Sequence, residues 1–481
     1  MKRYIIAALA CTMIFSSCLD KDPENVYNQD DVDYTNTAAM FGPVAGIYSK
    51  AVTENGFSRW AMLGLIAIRS DDTDKGSSAT DQADFNYAKN FQYAELREYW
   101  ALNASWEGLY NLVLTSNANL AILKKYTPYL TKEEDKVLNL QYQAEVRFMR
   151  ANAYFYLTRM WGDVTLITNN DQLSKNPTLD KRQQVYDFIN TELDTCAMHL
   201  PALRPNEMPN KGQVTKYTAL ALKAKANADI NNWDAVLDAT NQIVESGKFE
   251  LYPDFYQSFK KPGRLSNESL FELQYSDLKD PVYRSDNWFA FQGPNNLKGK
   301  NNATMGGGWG FMTPSQKIVD LFVARGETVR YTTTFLFSNS ITASGDTIGN
   351  NTAKVYNGKL YLPSDQLTPT RTDYGSGNNI RMIRYADILL LNAEAKVRKG
   401  QNGDAPFNLV RKRAQMPIIT NVTLDQILEE RQVELACEWG ERFFDLVRTG
   451  KAQGTLPNFV TGASEFYPIP QAQINLNPGY Q

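Results

Sequence analysis

Between Glu133 and Trp161, the residues Ala144, Phe148, Ala151 and Phe155 follow one another at steps of four, three and four. That spacing places all four on one side of an α-helix, and alanines within an apolar stripe let a second helix approach closely. A long helix that needs a close neighbour constrains the chain to a packed helical array. Thr131 with Glu134 three residues on reads as a capping box at its start, and Gly162-Asp163 as its end. Thr218 to Gly247 predicts two shorter helices. The first is Ala-rich and runs to Ile230, a turn falls at Asn231-Asn232, and the second runs from Asp234 to Ser246, closed by Gly247. Tyr385–Arg398 followed by Asp404–Ala414 repeats the plan, with Gly400 and Gly403 in the turn.

In these pairs Trp233, Ala235 and Ala239 sit where helix hairpins place large and small packing residues. The pairs resemble degenerate tetratricopeptide units of irregular period. Residues 255–380 break the pattern. Gly, Asn, Ser and Thr dominate there, and Asn295-Asn296, Gly306-Gly307-Gly308 and Gly375-Ser376-Gly377 punctuate the stretch. Ser269–Tyr275 and Lys354–Tyr361 alternate as brief strands would. The expected fold is mainly α. A tetratricopeptide-like helix-hairpin scaffold (about 35–254 and 381–450) carries a loop-rich, partly irregular insert (about 255–380) with short strands, all in one domain over 35–481. Long aromatic loops on a rigid frame suit recognition.

The N-terminus places the protein. Lys2-Arg3 precedes an almost wholly apolar run from Tyr4 to Phe15, followed by Ser16-Ser17-Cys18. The run is too short to span a bilayer, so residues 1–17 read as a secretory signal. Phe-Ser-Ser-Cys resembles a bacterial lipobox, with Phe15 in place of the usual Leu, which makes Cys18 the lipidated residue. The competing readings are an ordinary cleaved signal, and cleavage before Cys11, which would leave an apolar tail. Residues 18–34 are acidic and polar and form a solvated tether. Acidic residues directly behind the lipid cysteine resemble the surface-export signal of Bacteroidetes-type lipoproteins.

Composition removes several function classes. The 481-residue chain carries 50 basic and 53 acidic side chains, and loss of the leader removes two of the positive charges. With no basic surplus to neutralise phosphates, nucleic acid is not expected as a partner. A single histidine, His199, close to a predicted helix end, is too few for His-ligated zinc or a histidine-based nucleophile scheme. Cys196 and Cys437 show no metal-ligand spacing. They are either one disulfide or two buried thiols. No cofactor is expected.

Three segments then carry a family resemblance. Glu145-Val-Arg-Phe-Met-Arg-Ala-Asn-Ala-Tyr-Phe-Tyr-Leu-Thr-Arg-Met-Trp-Gly-Asp-Val is the first. Arg384-Tyr-Ala-Asp-Ile-Leu-Leu-Leu-Asn-Ala-Glu-Ala is the second. The third is Ile427 to Arg448, with Tyr467-Pro-Ile-Pro and Asn477-Pro-Gly-Tyr beyond it. In order and spacing they resemble the SusD/RagB family of outer-membrane nutrient-binding lipoproteins along essentially the whole chain. The resemblance implies a scaffold of about four tetratricopeptide-like pairs and a variable second half that helps form the ligand site. It also implies a SusC-like TonB-dependent outer-membrane barrel as partner. These motifs themselves read as structural. Arg431, Glu434, Glu438 and Arg442 lie on one helix face, where arginines keep carboxylates ionised rather than raising a catalytic acid. Asp163 and Asp387 read the same way.

A sugar site needs aromatic platforms beside planar polar groups. Two regions offer both. Arg69, Asp71 and Asp72 open a polar loop that leads to a helix with Trp100, Asn103 and Trp106; of these, Trp106 reads as core and Trp100 as either core or platform. Tyr283, Asn287, Trp288 and Phe291, then Trp309, form the second region inside the insert. Trp288, on a predicted loop, is the leading platform, while Trp309 is equally suited to exposure and to wedging. Asp72-Thr-Asp-Lys-Gly lacks the terminal Glu and the spacing of a calcium loop, so no metal is assigned. The expected function is capture of oligosaccharides at the cell surface for delivery to the barrel. Peptide cargo is the alternative, and a two-carboxylate glycoside hydrolase is the least favoured reading.

Overall fold

The computed structural model describes residues 32–480 apart from 53–56, 58–59, 174–176, 277–287, 301–304, 306 and 368–376. Cys18, Tyr283 and Asn287 lie outside the described residues. Chain-adjacent helices pack side by side in an array: Trp100–Tyr126 on Glu133–Trp161, then Arg182–His199, Lys216–Asp229 and Trp233–Glu245. The last of these packs on Tyr385–Arg398, which in turn carries Asp404–Arg413 and Leu424–Glu434. The whole insert is therefore looped out between two consecutive layers of one helical stack. The chain is mainly helical with a few short strands, as its periodicity predicts.

Small residues permit the close approach. Ala144 and Ala151 are buried in the long helix, and Ala219, Ala221, Ala224, Ala226 and Ala228 in the Lys216–Asp229 helix. The turns form where the sequence places them. Gly162, Asn231, Gly247 and Gly400 all have positive φ, and the Asn232 side chain accepts from Ala235 N to cap the following helix. The Thr131 capping box does not form. Lys132 is the N-cap residue and has no side-chain cap bond, so Glu133, Glu134 and Asp135 meet the helix N-terminus through the dipole instead. His199 is the last residue of its helix. Cys196 and Cys437 are both free thiols.

The insert is more regular than its composition suggests. Ser269–Leu273 pairs antiparallel with Ile380–Arg384, so a two-stranded ribbon clasps its entry and exit. Gln316–Arg325 and Val329–Thr334 are helices that the loop reading of this region misses. The Ser315 hydroxyl caps the first of them by accepting from Ile318 N, and Gly326 closes it in the left-handed conformation. Thr73–Gly76 pairs antiparallel with Phe311–Pro314 and sews the loop after Arg69 onto the insert.

The four-residue motif on the Ile427–Arg448 segment is structural, but it does not share one helix face. Arg431 and Glu434 are on Leu424–Glu434, Arg442 is on Glu441–Arg448, Glu438 is in the turn between, and their bonds reach other helices, a strand and a loop. Arg431 meets Asp387 at 2.7 Å and Asp445 at 2.9 Å. Glu434 meets Arg384 at 3.0 Å and Arg330 at 3.2 Å. Glu438 meets Lys359 at 2.8 Å and Arg384 at 2.6 Å. Burial opposes the charge of Glu434, yet the surrounding guanidinium groups hold its carboxyl down at about 2. Asp163 is likewise structural, accepting from Lys181 and from Arg182 N.

Candidate functional site

The Thr73–Gly76 and Phe311–Pro314 pairing decides the geometry of the site, because it brings the two sequence-predicted regions together. The ribbon closes tightly. At Gly76 (φ +67°) a Cβ would lie 2.2 Å from the Gly310 carbonyl oxygen, so only glycine fits. Gly308 is confined in the same way, its Cβ position lying 2.2 Å from Gly293 O. Between these glycines Trp309 is fixed by its backbone, with Trp309 N donating to Ala290 O at 2.6 Å and Gly310 N to Gly293 O at 2.9 Å.

Trp309 faces Trp60, at the start of the Trp60–Ala67 helix, with ring centroids 5.7 Å apart and edge to face. Trp60 also meets Trp100 edge to face at 5.4 Å. Three indoles from separate chain segments thus form one cluster. Trp60 and Trp309 are half-buried and Trp100 is 41% exposed, so the cluster reaches solvent, most of all through Trp100. Trp100 is oriented by Gln82, whose Oε1 accepts from the indole Nε1 at 3.2 Å and from the Tyr99 hydroxyl at 2.7 Å. Gln82 itself adopts φ +46°. Lys75 holds the loop around it by donating to Ser78 O and Asp81 O, both at 2.7 Å. Asn103, one turn beyond Trp100, is half-buried and accepts from Gln473 Nε2 at 3.0 Å.

Five predicted site residues belong to the interior. Trp288 is 1% exposed and meets Trp439 edge to face at 4.4 Å. The run Trp288-Phe289-Ala290-Phe291 forms a one-turn helix, Trp288–Gln292, with every residue buried. Its own apolar content outweighs the polar stretch around it. Phe291 is wholly buried and supports Trp60 from beneath at 4.9 Å. The Arg69 guanidinium lies between the rings of Phe443 (4.0 Å) and Tyr467 (4.4 Å) and donates to Glu465 O at 3.1 Å. Asp71 is paired with Arg442 at 2.9 Å and Lys317 at 2.6 Å. Burial penalises its charge, but these cations outweigh that and hold its carboxyl below the usual range. Asp72 accepts from Gln432 at 2.6 Å, and burial followed by the neighbouring Asp71 charge pushes it up to about 7. The Asp-rich loop is thus folded inward onto cations and an amide. Among the described residues no group of three or more His, Cys, Asp or Glu is placed to hold a metal ion. Trp106 is core, as expected.

Trp60 is the residue that sequence reasoning missed. It follows Phe57-Ser58-Arg59 and opens the apolar run Ala61 to Ile68, so it reads as the edge of a buried helix. An amphipathic tryptophan at such an edge was the available signal.

The comparisons with known proteins match this architecture. A model of the SusD family matches residues 325–464. A second, described as "starch-binding associating with outer membrane", matches residues 24–227. The chain belongs to the SusD/RagB family. A SusD-like protein of Bacteroides ovatus is 26% identical over 93% of this chain and 82% of its own length. SusD-like protein P2 of Formosa agariphila is 24% identical over the full length of both. Among solved structures, surface glycan-binding protein A from Bacteroides fluxus superposes with a TM-score of 0.77 at 24% identity. It covers 91% of this chain and 96% of its own. Surface glycan-binding protein A from Bacteroides thetaiotaomicron, in complex with laminarihexaose, superposes with a TM-score of 0.75 at 22% identity, covering 92% and 98%. At these identities the superpositions establish the shared SusD fold.

Proposed function

We propose that this protein is a non-catalytic, cell-surface glycan-binding lipoprotein that captures oligosaccharides on the Trp60–Trp100–Trp309 face. The observation that carries the reading is the assembly of three indoles from distant segments into one solvent-facing cluster. A core has no use for an indole as exposed as that of Trp100, and sugar rings present flat C–H faces that stack on such surfaces. Asn103 and the Gln82 amide lie beside the face and supply planar hydrogen-bonding groups. A solved SusD-like relative carries laminarihexaose and another is described as laminarin-binding, which supports glycan as the cargo class. The lipobox-like Cys18 and the family's association with the outer membrane support anchoring there. Family membership likewise supports delivery to a TonB-dependent barrel.

The chemistry of the cluster supports binding without turnover. The sequence-predicted carboxylates Asp71 and Asp72 are buried and engaged by Arg442, Lys317 and Gln432. They do not form a pair flanking an open face, as glycoside hydrolysis requires. A glycan array followed by prolonged incubation with each bound glycan tests this. Binding with unchanged reducing-end content is expected, and steady protein-dependent release of shorter sugars would defeat the reading.

A further inference from the structure

The Trp100–Tyr126 helix does more than carry the aromatic face. Trp100, Asn103, Glu107, Asn111 and Leu114 recur at steps of three and four, and all five are exposed or half-buried, so they form one stripe. The stripe leads along the helix to a cleft of about 410 Å³ between this helix, residues Thr165, Ile167, Leu173 and Pro177, and the Gln471–Leu476 helix. From Trp100 to Asn111 the helix rises about 16 Å. Half-buried Tyr480 is the aromatic ring of the cleft that reaches solvent, with the buried rings of Trp106 and Tyr110 packed behind it. Trp106 meets Tyr110 at 5.0 Å and Tyr480 at 6.0 Å, and the Tyr480 and Thr165 hydroxyls are 2.8 Å apart. Glu107, Asn111 and Asn477 line it with polar groups. Gln473 joins the two places physically, since its Nε2 donates to Asn103 at 3.0 Å and to Glu107 at 3.2 Å.

An aromatic ring beside planar amides and a carboxylate is the same chemistry as the indole face, on the same helix stripe. We infer that this cleft is a second subsite, which takes a further segment of the glycan chain held on the indole face. The inference rests on the glycan reading above and deepens it: the preferred ligand is a long chain that engages both places at once. Engaging the second place is an intramolecular step once the first is bound, so chain length multiplies affinity.

Asn111 is exposed on the helix, so changing it leaves the core intact. Asn111→Leu fills the mouth of the cleft with apolar bulk, and Asn111→Ala removes the amide alone. Trisaccharides and octasaccharides of the malto-, laminari- and xyloglucan series are titrated calorimetrically against the intact protein, both variants and Trp100→Ala. The expected result is an octasaccharide bound on the order of tenfold or more tighter than its trisaccharide. Asn111→Leu should bring the octasaccharide down to the trisaccharide level and leave the trisaccharide unchanged, with Asn111→Ala intermediate. Equal affinity for both lengths, or an Asn111→Leu effect equal at both lengths, overturns the second subsite. If Trp100→Ala binds normally while the length effect persists, the indole face does not hold the chain, and the two-place inference falls with it. If the intact protein binds no glycan of any length, the glycan reading falls and this inference with it.

Discussion

Glu145 has no accessible surface, and all its partners are neutral donors: the Tyr48 hydroxyl at 2.8 Å, Gln213 Nε2 at 3.0 and 3.1 Å, and Gln141 at 3.2 Å. Burial outweighs these hydrogen bonds and raises its carboxyl from 4.5 to about 7. Because the folded value lies above the unfolded one, the native state binds more protons between them. The stability this contributes is complete below about 4.5 and is lost as the pH rises through about 7. Glu145→Gln cannot titrate, so thermal melts from pH 4 to 8 should show the wild type losing on the order of 3 kcal/mol relative to the variant across that window. A difference that stays constant with pH would show that Glu145 is not perturbed. Arg69 makes the complementary point about buried charge. A guanidinium held against aromatic rings keeps favourable electrostatics without a carboxylate, and so a residue that reads as a ligand contact serves the core.

At the level of elements, the turn that presents Trp309 depends on a glycine with no room to spare. Gly308→Val should force the backbone at Gly293 away, shift Trp309 off Trp60 and weaken glycan binding by about 1–2 kcal/mol in calorimetric titration. Gly46→Ala is the contrast. It lies in the Phe41–Ala51 helix with nothing within 4 Å of its Cβ position, and should raise stability by roughly 0.5–1 kcal/mol without touching binding. If the two variants bind alike, the Gly308 turn does not position the platform. This contrast also shows what the sequence reveals. Helix ends at Gly162, Asn231-Asn232 and Gly400 were legible because each is set by residues a few positions apart. The clustering of Trp60, Trp100 and Trp309 was not, because it depends on Thr73–Gly76 finding Phe311–Pro314 far along the chain. Pairing partners so distant leave no periodic trace. Trp288 was misread for a related reason. Its polar neighbourhood signals a loop, while four apolar residues in a row suffice to bury a single helical turn against Trp439. The charges of Arg431, Glu434, Glu438 and Arg442 were recognisable as structural from their composition, but the helix break between Glu434 and Glu441 and the distant partners were not.

For the whole molecule, a helical stack supplies rigidity and carries Trp60 and Trp100, and the clasped insert adds Trp309 beside them. The stack continues directly from Trp233–Glu245 to Tyr385–Arg398, so the insert can vary without breaking the array. Among the described residues no helix is long and apolar enough to cross a membrane. Cys18→Ala should release the protein from the outer-membrane fraction, because stable anchoring requires lipid chains. Retention of that variant in the membrane pellet would end the lipoprotein reading. The central claim is that the exposed indole cluster, rather than the buried Trp288, holds the ligand. Calorimetric titration of a glycan that binds the intact protein, against Trp100→Ala, Trp309→Ala and Trp288→Phe with a thermal melt on each, tests it most directly. Trp100→Ala and Trp309→Ala should each cost about 2 kcal/mol, roughly thirtyfold in affinity, with little change in melting temperature. Trp288→Phe should lower the melting temperature and bind nearly as the wild type does. Normal binding by both Trp100→Ala and Trp309→Ala would contradict the account.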